Sequence, residues 1–126
     1  MNRHSAREKA FQVLFQLGIN DNNPDKAVEE HLETVEIDAF LMSLVKGVTE
    51  NKAVLDDIIS NNLENWTIDR IASVEKTILR IAILEINYIE DIPTNVSINE
   101  AVELANMYGD EKSGKFVNGV LSKIIA

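Results

Sequence analysis

The sequence predicts an all-α fold of about seven helices, in two small bundles that share a core. Apolar residues recur three to four positions apart in nearly every segment, and no stretch alternates long enough to compete as a strand. Ser-x-x-Glu patterns stand at Ser5–Glu8 and Ser97–Glu100, where two side chains can satisfy the free N–H groups of a helix start. The chain reads as one domain, 1–126, with halves of about 1–63 and 64–126 divided at the break between Asn61 and Thr67.

The first helix should run from a cap at Ser5 to about residue 19, with Ala10, Val13, Leu14 and Leu17 turned inward. Arg3 and His4 precede that cap. Arg7 falls in the first turn, where a positive charge opposes the helix dipole by ~0.3–1 kcal/mol. It is expected at the surface, as a solvated side chain or as an anion contact. A loop over 20–23 follows, and Asn23-Pro24 suits the start of a short acidic helix over 25–33. From Ile37 to Leu63 the apolar spacing holds with one missed turn near Asn51-Lys52, so one long helix over 37–62 is expected. Gly47 inside it costs ~1 kcal/mol relative to alanine and therefore points to a close helix crossing. Trp66 is expected to fill the junction between the halves.

Thr67 can cap a short turn over 68–72, and Ser73 a strongly apolar helix to about residue 90. A helix apolar on most sides belongs at the centre of its domain. Arg80 and Glu85 on it should be paired or at a rim, because a lone buried charge is very costly. Pro93 ends that helix and pushes Ile92 out of the α region. The Ser97–Glu100 pattern then starts another helix, with Ile98, Ala101, Val102 and Ala105 on one face and Gly109 as its stop. Ser113 can cap the last helix, whose stripe is Phe116, Val117, Val120, Leu121 and Ile124. Phe40, Leu44, Leu79, Ile81, Ala82, Val102, Phe116 and Leu121 are the expected buried residues.

At 126 residues and 45% hydrophobic content the chain can bury a core and is not of a disordered type. No apolar run approaches the ~20 residues that span a bilayer. The N-terminal residues lack the apolar core of a signal peptide. There is no cysteine, which fits a cytoplasmic protein, and two histidines without cysteine do not make a structural zinc set. The net charge of −9 argues against nucleic-acid binding by the whole surface. The charge is unevenly spread, however. Residues 21–38 carry seven acids and one lysine, residues 1–9 carry Arg3, Arg7 and Lys9 against Glu8, and residues 112–126 carry three lysines and no acid. If the fold joins the two ends, they form a basic patch on an acidic protein.

Catalytic patterns are missing. There is no Gly-x-Gly-x-x-Gly, no phosphate loop, no histidine pair at ligand spacing and no nucleophile elbow. Glu100 and Glu103 share a helix, but a cap accounts for the first and exposure for the second. The expectation is a binding protein, not an enzyme, with no cofactor.

The wording of the sequence is more specific. Val-Ser-Ile-Asn-Glu-Ala-Val-Glu-Leu-Ala (96–105) and Lys-Phe-Val-Asn-Gly-Val-Leu (115–121) closely resemble the signature of the bacterial NusB family. Val-Glu-Lys-Thr-Ile-Leu-Arg-Ile-Ala-Ile-Leu-Glu-Ile (74–86) resembles it too, as does, more loosely, Ala-Arg-Glu-Lys-Ala-Phe-Gln-Val-Leu-Phe (6–15). The resemblance is most specific over 74–124 and weakest over 20–36.

That resemblance implies an all-helical, non-catalytic transcription antitermination factor. Such a factor binds boxA-type single-stranded RNA together with NusE, a ribosomal small-subunit protein, and acts on RNA polymerase indirectly to promote read-through of ribosomal RNA operons. It implies RNA contacts at Arg3, His4 and Arg7, and at Lys112, Lys115 and Asn118, with Asn118 able to read a base edge or to cap a loop. Asn2 and His4 stand where the family commonly has more basic residues. It implies that NusE docks on the C-terminal subdomain, and exposed polar positions on the helix over 74–90, such as Glu75 and Lys76, are expected near that interface. Family members occur as monomers and as dimers, so a homodimer is allowed. Two other readings compete: the NusB-like N-terminal module of ribosomal RNA cytosine methyltransferases, for whose catalytic part a chain ending at Ala126 has no room, and a helical protein adaptor without RNA activity.

Overall fold

A computed structural model of the chain describes residues 1–20 and 38–126. The described residues form six α-helices and one 3-10 turn, with no strand. The helices are α1 (Arg3–Asn20), α2 (Ala39–Glu50), α3 (Lys52–Asn61), α4 (Ser73–Tyr88), α5 (Thr94–Tyr108) and α6 (Glu111–Ile125), and the turn is Ile68–Arg70. The acidic helix expected over 25–33 lies outside the described residues.

The centre is α4, as its all-round apolar sequence predicts; it packs against α1, α2, α3, α5 and α6. Between Thr77 and Glu85 every residue but Arg80 is buried. Around it gather Ala10, Phe11 and Val13 of α1, Leu41 and Leu44 of α2, Leu55 and Ile59 of α3, and Val117 and Leu121 of α6. Of the expected core, Leu44, Leu79, Ile81, Ala82 and Leu121 are buried, whereas Phe40, Val102 and Phe116 are only partly covered and pack against its edge.

The long helix expected over 37–62 is two helices. Asn51 leaves helical geometry (φ −109°, ψ 15°), and both its N–H and its side-chain Nδ2 donate to the carbonyl of Gly47, at 3.0 and 2.8 Å. An asparagine side chain can replace the next helical hydrogen bond in this way, so the missed apolar turn marks a real helix end. Gly47 does allow a close crossing: a Cβ there would lie 2.6 Å from Cδ2 of buried Leu84.

Three helix starts fall a turn upstream of the serines expected to cap them. Asn2 caps α1, its Oδ1 accepting from Ser5 N at 2.8 Å. Pro93 occupies the cap position of α5, where its missing N–H is no loss. Asp110 caps α6, accepting from Ser113 N at 2.8 Å. Trp66 does not fill the junction between the halves; it is 57% exposed. Between α5 and α6, Gly114 has no room for a side chain, since a Cβ would lie 1.9 Å from Oδ1 of Asn106.

Candidate nucleic-acid interface

The N-terminal cations meet carboxylates. Arg3 Nη2 lies 3.0 Å from Asp91 Oδ2. His4 Nδ1 lies 3.0 Å from Glu100 Oε1, and its Nε2 is 3.9 Å from Glu103. The hydrogen bond and charge of Glu100 raise the His4 pKa above its ordinary value. These three groups, His4, Glu100 and Glu103, could share a metal ion, but His4 and Glu103 are exposed, and pairing with His4 accounts for the arrangement.

Arg7 is a correction. It was expected at the surface, but its side chain is only 5% exposed. Its guanidinium donates from Nε and Nη2 to buried Glu85, at 2.8–3.0 Å, and from Nη1 to Glu100 at 3.2 Å. Ser97 Oγ donates to the same Glu85 at 3.0 Å. Ser97 and Glu100, read from sequence as a local capping box, are therefore both partners in a network joining α1, α4 and α5. In this arrangement the Arg7 guanidinium is covered and bonded to two carboxylates, so it presents little charge at the surface. The guanidinium carbons of Arg3 and Arg7 also lie 4.7 and 5.3 Å from the Phe40 ring centre, so Phe40 is a lid over the pair rather than core.

The second group of cations is freer. Lys112 is exposed at the start of α6, and Lys115 is 77% exposed beside Glu111, at 3.6 Å. Asn118 is exposed one turn further on. The Asp110 cap is held below the usual carboxylate range by the N–H of Ser113. His4 reaches the middle of α5, whereas Lys112 and Lys115 follow its far end; α1 and α5 run side by side, with Tyr108 donating to Glu8 and accepting from Gln12. Arg3, His4 and Arg7 thus cluster around Glu100, and Lys112, Lys115 and Asn118 cluster on α6. No hydrogen bond or ion pair joins the two groups among the described residues.

Two clefts border these elements. One lies between the α3–α4 linker and α6, lined by Trp66, Phe116, Lys115 and Lys123 among others. Gly119 and Lys123 also line it; from sequence, Lys123 counts only toward the basic segment over 112–126 and Gly119 only as part of the 115–121 motif, and neither is singled out as a site residue. The other is lined by Phe15, Lys52, Lys76 and Arg80, with Arg80 paired to Asp56 at 2.7 and 2.9 Å. Glu75 and Lys76 are half-buried in the first turn of α4, and Lys76 lines this second cleft.

Similarity to known proteins agrees with this architecture. A sequence model of the NusB family matches residues 4–126. The transcription antitermination protein NusB of Oceanobacillus iheyensis is 68% identical over 126 residues, all of both chains. NusB of Thermotoga maritima superposes with a TM-score of 0.90 at 39% identity, covering 98% of this chain and 90% of that one. A crystal structure of antitermination factors NusB and NusE in complex with double-stranded RNA superposes with a TM-score of 0.86 at 32% identity, covering 98% and 97%. With its described helices superposing on those structures and a family match across nearly its whole length, the chain belongs to the NusB family.

Proposed function

We propose that this chain is a transcription antitermination factor that binds boxA-type RNA together with NusE and so acts on the elongating RNA polymerase. The observation that carries the reading is its 68% identity, over the full length of both chains, with a transcription antitermination protein. The solved complex of related NusB and NusE with RNA supports both partners. We assign the phosphate-facing role to Lys112 and Lys115, with Arg3 and His4 as secondary contacts that must first leave their carboxylates. Arg7 acts from beneath, by holding α1 against α4 and α5. Glu75 and Lys76 remain our choice for the NusE side, supported by the place of Lys76 in a cleft that also carries Lys52 and Arg80.

The role needs no catalysis, and we assign none. A cytoplasmic site of action follows from the role; no described helix is long and apolar enough to cross a membrane. We also regard 1–63 and 64–126 as two halves of one domain, supported by the contacts that α4 makes with helices of both.

Filter binding of boxA-type RNA, with and without NusE, tests the function. Retention strengthened by NusE is expected, and absence of retention in both conditions contradicts it. Competition by the same sequence in single- and double-stranded form identifies the form recognised.

A further inference from the structure

Gly119 lies inside α6, where glycine weakens a helix relative to alanine. Nothing in the packing requires it: a Cβ there would have no atom within 4 Å, and its φ is not positive. What its missing side chain does is leave open a groove of about 350 Å³ between α6 and the α3–α4 linker.

The groove has the composition of a single-strand site. Leu63, Phe116 and Val120 give it an apolar floor, Trp66 stands on one side, and Lys115 and Lys123 carry charge at its edge. Trp66 is 57% exposed although it is a large aromatic side chain on a short linker. Asn65 just before it has φ 64°, in the left-handed region that asparagine tolerates better than most residues. Lys123 Nζ lies 2.8 Å from Glu64, but both are exposed, and such a pair contributes little and can be replaced by a phosphate. Lys115 belongs both to this groove and to the RNA surface proposed above, so the two are continuous.

We propose that this groove takes an unpaired RNA base, stacked on Trp66 and Phe116 over Gly119, with the flanking phosphates on Lys115 and Lys123. Aromatic faces with adjacent cations bind single strands in this way, with little dependence on which base is present. The inference rests on the RNA-binding reading and names where the strand continues beyond Lys112 and Lys115.

Trp66 is the sole tryptophan of the chain, so its emission reports on the groove alone. The test titrates the full chain with a short single-stranded boxA-type RNA while following that emission, and measures filter retention with NusE for Trp66→Ala, Trp66→Phe and Gly119→Leu. Gly119→Leu fills the groove from a position with free space, and circular dichroism checks that it folds. Quenching of Trp66 is expected, with affinity lowered about tenfold in Trp66→Ala and Gly119→Leu and largely restored in Trp66→Phe. Unchanged emission with parental affinity in both blocking variants overturns the groove and leaves the RNA reading standing. Quenching by NusE alone but not by RNA assigns the groove to a protein and also overturns it. No RNA retention by the parent chain, even with NusE, removes the RNA reading and the groove together.

Discussion

Arg7 on α1 and Glu85 on α4, 78 positions apart in sequence, meet side by side in the core, with two guanidinium nitrogens 2.8–3.0 Å from the carboxylate. Both are buried, and Ser97 and Glu100 complete their hydrogen bonding. Among the described residues, no buried side-chain polar atom lacks a partner. Removing one member therefore leaves a charge buried and uncompensated. Arg7→Ala is expected to lose about 3–5 kcal/mol of stability in urea unfolding. Replacing both charges together, Arg7→Met with Glu85→Leu, should lose much less than Arg7→Ala alone. Equal losses would show that the pair itself, rather than the orphaned charge, carries the energy.

Two helix glycines should respond in opposite ways. Gly119→Ala gains helix propensity with no clash and is expected to raise stability by up to about 1 kcal/mol. Gly47→Ala places a methyl 2.6 Å from Leu84 Cδ2, and Leu84 is buried at 3% exposure. Overpacking of this kind typically costs about 1–3 kcal/mol, enough to cancel the propensity gain. Thermal unfolding of the two variants beside the parent checks the contrast. A stabilised Gly47→Ala would mean that Leu84 moves aside freely.

His4 should titrate above the ~6.5 of an unperturbed histidine, because Glu100 hydrogen-bonds and attracts its charged form. A folded-state pKa above the unfolded value adds stability that is fully present below the unfolded pKa and is lost as pH rises through the folded one. The charged part of the His4–Glu100 contact is therefore lost on the alkaline side of that window, while Arg7 still ties α1 to Glu85 and Glu100. An NMR titration of the His4 ring, with Glu100→Gln expected to lower the midpoint, measures this. A midpoint indifferent to Glu100→Gln would contradict the contact.

Much of this was legible in the residues. The pattern over 73–88 announces a central helix, and Leu79, Ile81 and Ala82 were placed correctly because a buried helix is apolar on most sides. The helix starts were displaced because serine, asparagine and aspartate cap alike, and Asn2 and Asp110 stand within one turn of the serines. Arg7 was misplaced because its charge outweighed its position. It heads the stripe Arg7, Ala10, Phe11, Leu14, and Glu85 follows Ile78, Ile81 and Ala82 on the buried side of α4. Two opposite charges on two apolar stripes were the available sign of a buried pair. That Ser97 and Glu100 serve this pair, rather than their own helix start, depends on tertiary contacts that a local motif does not encode. Trp66 stands exposed next to Asn65, whose φ of 64° is a local backbone feature that hydrophobicity does not report.

The most direct measurement of the RNA reading is the salt dependence of boxA-type RNA binding in the presence of NusE. Parent chain and the Lys112→Ala, Lys115→Ala double variant are compared from low to physiological salt. If these two exposed lysines meet phosphates, the log–log slope should flatten by about 0.7 for each, and affinity at low salt should fall, while unfolding midpoints stay within experimental error. The same affinity and the same slope for both proteins would contradict an RNA surface at the start of α6.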